Sequence, residues 1–283
     1  MNELTNKRLF LLDMDGTLYL DDRLFPGAAE FLAKIRQSGG KYLFLTNNSS
    51  KGVDAYVAKM TRLGVPAAPA DFLTSVDALI VFLERTYGAA VKKKKMYVVG
   101  TRSFCAQLAA AGFLLTETPD DDTEILILGF DRELTYRKLE DACRLLVRGG
   151  QKSDARQAKN ALPAVDYYAT NPDWVCPTAF GSVPDCGSMA WMLEKATGRL
   201  PKFIGKPEPE MALLAMAQCG CSAAETLLIG DRLYTDIACG NRAGVDTAFV
   251  LSGEGTLADL AKGQGKPTYI FENIAEVCKA VFG

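Results

Sequence analysis

The chain has 283 residues, long enough for two cored domains, and its 48% hydrophobic and 23% charged residues exclude a disordered or fibrous protein. With 32 Lys and Arg against 34 Asp and Glu, the net charge of −2 supplies no broad positive field for nucleic acid or an anionic membrane. His is absent, which excludes Ser-His-Asp and Cys-His mechanisms, phosphohistidine chemistry and the common zinc sites.

Short apolar runs alternate with amphipathic stretches, the pattern of βα units feeding a parallel sheet. In chain order it predicts a strand at 8–13, a helix at 27–38, a strand at 41–46 and helices at 52–63 and 75–87. A middle portion follows, with strands at 96–99, 125–128 and 165–168 and helices at 103–111 and 135–148. Beyond it come helices at 187–197, 210–219 and 235–243 and strands at 202–205, 226–231, 246–251 and 268–271. Arg8-Leu9-Phe10-Leu11-Leu12 is apolar on both faces, as a strand between two helix layers must be. The expected fold is α/β: a doubly wound, Rossmann-like parallel-sheet core of residues 1–88 and 186–283, with an inserted α/β cap at 89–185. Gly88 and the segment Gly181 to Gly187 are the expected hinges, and Lys92 to Lys95 reads as a solvated turn whose field neighbouring acids cancel.

Several functional classes are missing their signatures. No Cys is followed six positions later by Arg, both Gly-Lys-Pro sites lack the Ser or Thr of a P-loop, and no Gly-x-Gly-x-x-Gly occurs. No apolar run approaches the ~20 residues that span a bilayer, and the start Met1-Asn2-Glu3-Leu4 lacks a basic region followed by an apolar one. The eight Cys form no Cys-x-x-Cys, so reduced thiols and a cytoplasmic location are expected.

Four segments concentrate polar chemistry at predicted strand ends, where open α/β sheets bind ligands. Asp13-Met14-Asp15-Gly16-Thr17 follows the first strand. Side chains two apart on extended backbone point the same way, so Asp13 and Asp15 can face one pocket, and two adjacent acids call for a hard cation such as Mg²⁺. Thr46 and Asn47 precede a helix start whose free N–H groups suit phosphate oxygens, while Ser49 or Ser50 reads as a helix cap. Lys206, in Gly205-Lys206-Pro207-Glu208, is a candidate to hold a phosphate and offset the acids. In Gly230-Asp231-Arg232-Leu233-Tyr234-Thr235-Asp236, Asp231 is suited to complete the metal site, and Asp236 to orient metal-bound water or the lysine. Each segment alone has a plain structural reading as a turn, cap or exposed charge; their coincidence at four strand ends argues against it.

These motifs, in this order, resemble the haloacid-dehalogenase superfamily, and the resemblance covers nearly the whole chain. It is closest to NagD-type and 4-nitrophenylphosphatase members, on Thr46-Asn47-Asn48-Ser49, Thr170-Asn171-Pro172-Asp173, Gly205 to Pro209 and Gly230 to Asp236. The resemblance implies a Mg²⁺-dependent phosphatase of small phosphate monoesters such as nucleoside monophosphates, sugar phosphates or 4-nitrophenyl phosphate. Asp13 would be the nucleophile that forms an aspartyl-phosphate and Asp15 the acid and base. Mg²⁺ would be bound by the Asp13 carboxylate, the Asp15 carbonyl and Asp231. It also implies that the cap selects the substrate. Trp174 or Cys176, in the loop that resembles the specificity loop, is then a candidate to touch the leaving group; the alternative is that Trp174 is simply packed in the cap. The chain departs from its relatives in a polar stretch at 149–164, which leaves the cap shape open. The partner expected is a small phosphorylated metabolite, with no nucleic-acid polymer and no membrane, and a homo-oligomer is compatible. The rival reading is a non-enzymatic phosphate-ligand binding module, against which stands the presence of a nucleophile and a proton donor together.

Overall fold

A computed structural model of the chain describes residues 3–148, 162–178, 180–261, 263 and 265–283. Its backbone contacts divide it into two units, one of Met1–Asn47, Val53–Ala78 and Gly205–Gly283, the other of Asn48–Gly52 and Leu79–Ile204.

The first unit is built on a six-stranded sheet in the order Tyr269–Phe271, Asp246–Val250, Thr226–Gly230, Leu9–Leu12, Lys41–Thr46, Phe72–Thr74. Every pair is parallel, and Leu9 stands opposite both Thr226 and Lys41. Leu9–Leu12 and Thr226–Gly230 are buried at every position, which is why their sequences carry no alternation. Helices Ala28–Gln37 and Ile274–Phe282 pack on one another, and Phe10, Phe31 and Phe282 meet there with ring centroids 5.4 to 6.3 Å apart. Phe10 and Phe31 are fully buried and contribute roughly 1.5–3 kcal/mol each, so the central strands are anchored where the site residues leave them. Helices Glu210–Cys219 and Ala238–Ala243 end at Gly220 and Gly244, both left-handed, where a side chain would be strained.

The second unit holds a five-stranded parallel sheet in the order Lys202–Phe203, Asp166–Ala169, Thr123–Leu128, Lys95–Val99, Leu114–Thr116. Its core gathers Tyr97, Leu126, Leu128, Phe130, Leu145 and Leu193, among others, beneath helices Tyr136–Leu146 and Cys186–Thr197. A two-stranded antiparallel ribbon, Val175–Thr178 with Gly181–Pro184, leads into the second of these helices.

This division differs from the expected one. Residues 186–204 lie with the second unit: helix Cys186–Thr197 packs on Tyr136–Leu146, and Lys202–Phe203 pairs with Tyr168–Ala169 rather than joining the six-stranded sheet. Gly88 and Gly181 to Gly187 also lie inside that unit; Gly187 is closely packed, a Cβ there standing 2.2 Å from the Pro172 carbonyl oxygen, whereas Gly88 and Gly181 are open. Strands Phe72–Thr74 and Leu114–Thr116 are additions, each three residues long and so too short to show a period. In the lysine run, Lys92 pairs with Glu84, Lys94 with Glu124 and Lys95 with Asp120. Residues 149–161 of the polar stretch lie outside the described residues. Among the described residues no helix is long and apolar enough to cross a membrane.

Candidate active site

The site lies in the first unit. Asp13 follows the buried strand Leu9–Leu12, its N–H still donating to the Ile229 carbonyl at 2.9 Å, so the sheet itself fixes where its carboxylate begins. Gly16 then turns the chain at φ 84°; a Cβ there would sit 2.4 Å from Asp231 Oδ2, so only glycine fits. The Thr17 hydroxyl is 3.5 Å from Asp13 Oδ2.

Lys206 is the hub. It is 2% exposed, and its ammonium donates to Asp13 Oδ1 and Asp236 Oδ1, each at 2.6 Å, and to the Leu45 carbonyl at 3.3 Å. Burial alone would lower its pKa, but the charges and hydrogen bonds of Asp13 and Asp236 hold it above the ordinary lysine range. The backbone of Lys206 is gripped from the other side by Asn47, whose Nδ2 donates to the Lys206 carbonyl at 2.8 Å and whose Oδ1 accepts from the Lys206 N–H at 2.9 Å. Asn47, read from the sequence as a phosphate ligand, therefore positions the lysine. Its own carbonyl accepts from the Ser75 hydroxyl at 2.8 Å. Thr46 is buried at the end of strand Lys41–Thr46, opposite Thr74.

Asp231 and Asp236 flank the end of strand Thr226–Gly230. Gly230 permits this, since a Cβ there would lie 2.3 Å from that of Asp236. Asp236 Oδ2 accepts from the Arg232 N–H at 3.2 Å, which orders the turn, and Oδ1 takes Lys206. Carboxylate oxygens of Asp13, Asp231 and Asp236 all lie within 4.8 Å of one another. Burial, and then the charge of Asp236, pushes Asp231 up to about 7. The same two causes, with Asp231 adding and Lys206 opposing, hold Asp13 well above the usual carboxylate range. Of these three acids, Asp13 and Asp236 share the Lys206 ammonium and Asp231 forms no ion pair with it. Asp231 Oδ1 is moreover buried and, among the described residues, lacks a hydrogen-bond partner, an oxygen in want of a cation. Hard carboxylate donors with one orphaned oxygen fit a divalent ion of the Mg²⁺ class.

A segment that sequence reasoning missed completes this corner. Ser252-Gly253-Glu254-Gly255 follows strand Asp246–Val250; the Glu254 N–H donates to Asp231 Oδ2 at 2.7 Å and the Gly255 N–H to the Asp231 carbonyl at 3.0 Å. Its only signal in the sequence is a pair of glycines at another strand's carboxyl end.

The Asp15 carboxylate stands apart from the cluster of three. It is 46% exposed, 3.5 Å from the Lys59 ammonium and 3.5 Å from the Tyr19 hydroxyl, while Lys59 lies 3.7 Å from the Tyr19 ring centre. The side chain of Asp15 thus does not face the pocket that holds the Asp13 carboxylate, as the two-residue spacing led one to expect; the carboxylates gathered around Asp13 are those of Asp231 and Asp236. Ser49, read as a helix cap, is instead buried in the second unit, 3.1 Å from the Thr170 hydroxyl and accepting from the Phe130 N–H. Trp174 and Cys176 also belong to the second unit. Trp174 is 48% exposed and stacks on Trp191 with centroids 5.8 Å apart; Cys176 is half-buried in the ribbon, opposite Val183.

Comparison with known proteins follows the same lines. Residues 10–114 match the family described as haloacid dehalogenase-like hydrolase, and residues 203–277 match a second description, HAD-hydrolase-like. The chain is 31% identical to the acid sugar phosphatase of Staphylococcus aureus over 270 residues, 95% of this chain and 96% of that one. Among solved structures, a 4-nitrophenylphosphatase from Thermotoga maritima aligns at a TM-score of 0.86 and 36% identity, covering 99% of this chain and 100% of that one. A glycerol phosphate phosphatase from Mycobacterium tuberculosis in complex with magnesium aligns at 0.83 and 28% identity, covering 98% of this chain and 78% of that one.

Proposed function

The chain belongs to the haloacid dehalogenase-like hydrolases and is a phosphatase, and from that premise we propose that it hydrolyses small phosphate monoesters with Mg²⁺, through Asp13 and Asp15. The observation that carries the assignment of residues is the geometry at Asp13: a carboxylate at a strand end, 2.6 Å from a buried lysine, beside an Asp231 oxygen that has no partner.

Asp13 and Asp231 would hold the cation, with the Asp15 carbonyl, and when bound it neutralises phosphoryl oxygens as charge develops on them. Lys206 fixes the Asp13 carboxylate and adds its charge beside the transferring group. An Asp13 oxygen attacks phosphorus, the bond from phosphorus to the ester oxygen breaks, and the leaving alkoxide takes its proton from Asp15. Water then attacks the phosphorus of the aspartyl-phosphate and gives a proton to Asp15. Inorganic phosphate leaves, and the Asp13 carboxylate is restored. Asp15 suits this exchange because its carboxylate is exposed to solvent, and Lys59 and Tyr19 limit where it can turn. Asp236 orients Lys206.

The relatives support the substrate class: they are named as a sugar phosphatase, a 4-nitrophenylphosphatase and a glycerol phosphate phosphatase. Sugar and polyol phosphates therefore lead, with nucleoside monophosphates behind. The second unit is read as the substrate-selecting cap of the relatives, and Cys176 on the ribbon and Trp174 just before it are the candidates to touch the alcohol. All eight cysteines are free thiols, which agrees with a reducing, cytoplasmic setting.

The test is phosphate release from a panel of sugar phosphates, glycerol phosphate, nucleoside monophosphates and 4-nitrophenyl phosphate, with Mg²⁺ and with chelator, for wild type and Asp13→Asn. Release that needs Mg²⁺ and vanishes in Asp13→Asn is expected. Equal turnover by the variant would remove Asp13 from the mechanism, and equal turnover in chelator would remove the metal.

A further inference from the structure

We infer that the loop Ser252–Gly255 orients Asp231 and thereby makes the cation site selective for Mg²⁺ over Ca²⁺, an inference that rests on the reading of Asp13 and Asp231 as cation ligands. The loop meets Asp231 from several sides. The Glu254 N–H donates to Oδ2 at 2.7 Å and the Gly255 N–H to the main-chain carbonyl at 3.0 Å. The backbone of Gly253 lies flat against the same carboxylate, since a Cβ there would fall 1.9 Å from Oδ2. Gly16, beyond the carboxyl end of the neighbouring parallel strand Leu9–Leu12, closes on the same oxygen; its own Cβ would stand 2.4 Å from Oδ2 and 3.1 Å from the Gly253 Cα.

Two further ties hold the loop in place. The Ser252 hydroxyl donates to the Gly16 carbonyl at 2.8 Å, joining the loop to the turn that carries Asp13 and Asp15. Glu254 pairs with Arg232 at 2.8 Å, beside Asp231 in the chain. Oδ2 is thus fixed by a donor and two glycine backbones, while Oδ1 is left buried and unpartnered.

A carboxylate held this tightly cannot shift to follow a larger ion. Mg²⁺ requires near-octahedral ligands at about 2.0–2.1 Å, whereas Ca²⁺ accepts irregular shells at about 2.3–2.6 Å. Loosening Asp231 should therefore weaken Mg²⁺ far more than Ca²⁺. A general loss of folding would weaken both together, which separates positioning from mere structural support.

The experiment is calorimetric titration of Mg²⁺ alone and Ca²⁺ alone into wild type, Ser252→Ala, Ser252→Thr, Gly253→Ala and Asp231→Asn, without substrate. Ser252→Ala and Gly253→Ala are expected to lose about 10–100-fold in Mg²⁺ affinity, the range seen when the groups supporting metal ligands are removed, and about threefold or less in Ca²⁺ affinity. Ser252→Thr, which keeps the hydroxyl, should restore Mg²⁺ binding. Should Gly253→Ala fail to fold, Ser252→Ala and its threonine partner decide the matter. Equal losses for the two ions, or unchanged Mg²⁺ affinity in Ser252→Ala, would overturn the inference. Undiminished Mg²⁺ binding by Asp231→Asn would instead overturn the underlying assignment of the cation site.

Discussion

Replacing Lys206 by Met tests whether one lysine sets the charge balance of the site. The ammonium lies 2.6 Å from Asp13 and from Asp236 and is 2% exposed. At an effective dielectric of about 20 each contact is worth roughly 6 kcal/mol before desolvation is subtracted. Desolvation of three buried ions offsets most of that. Deleting one partner of a buried pair nonetheless destabilises by about 3–5 kcal/mol, because the remaining charge stays buried without compensation. Here three carboxylates would remain within 4.8 Å of one another. Part of the loss is relieved by proton uptake, since burial already holds Asp13 well above the carboxylate range. We therefore expect about 3 kcal/mol of destabilisation in chelator at pH 8, measured by urea unfolding, and a smaller loss at pH 5. Adding Asp236→Asn to Lys206→Met removes one of the stranded charges, so the double variant should be more stable than the sum of the two single changes implies. A Lys206→Met protein as stable as wild type in chelator at pH 8 would refute the reasoning, as would additive single and double variants.

Asn47→Ala removes both hydrogen bonds to the Lys206 backbone, at 2.8 and 2.9 Å, and leaves a buried N–H and carbonyl unsatisfied. A loss of about 2–6 kcal/mol follows at 1–3 kcal/mol per group, together with a fall in kcat larger than any rise in KM; denaturant melts and steady-state kinetics check both. Cys186 and Cys239, each pushed up to about 12 by burial, are expected to resist thiol reagents in the folded protein at pH 8 while the half-buried cysteines react. Their folded pKa values lie above those of the unfolded chain, so the stability they contribute is complete below about pH 9 and is lost as pH rises towards 12, by at most about 4 kcal/mol each. Denaturation curves between pH 8 and 11 should show that decline, and Cys186→Ala and Cys239→Ala should flatten it.

How far the sequence can be read depends on how local each signal is. Asp13, Asp231 and Lys206 are legible because each follows a buried or sheet-bound run, and the chemistry of a strand end needs no knowledge of distant partners. Asn47 is half legible: its place before a helix shows, but its partner lies 159 residues away, and that contact converts a candidate ligand into a support for Lys206. Ser49 fails for the same reason, its hydroxyl being engaged by Thr170. Strand Lys202–Phe203 is visible as a strand, yet nothing in two residues says which sheet it joins; pairing with Tyr168–Ala169 decides it. The Ser252–Gly255 loop is hidden because a Gly-rich turn after a strand is the commonest of connections, and only the fold brings it against Asp231.

The orphaned Asp231 oxygen has a consequence for stability that runs opposite to its use in binding. A carboxylate raised from about 4 to about 7 favours the folded state while protonated in it and opposes folding once pH passes the folded value. In chelator the contribution of Asp231 is therefore intact below about pH 4, declines from there and is lost as pH rises through 7. The ceiling is about 4 kcal/mol, at 1.36 kcal/mol per unit, and relaxation of the site reduces it. Asp231→Asn keeps an acceptor for the Glu254 N–H and removes the charge, so the metal-free variant should be more stable than wild type by about 1–3 kcal/mol at pH 8 and by much less at pH 5. Saturating Mg²⁺ should reverse the order, raising wild type in proportion to the logarithm of metal over Kd and leaving the variant unmoved. Thermal melts of both proteins at the two pH values, with chelator and with Mg²⁺, decide it. A variant less stable than wild type in chelator at pH 8 would mean that the fold tolerates this charge without strain, and that Oδ1 is not held open for a cation.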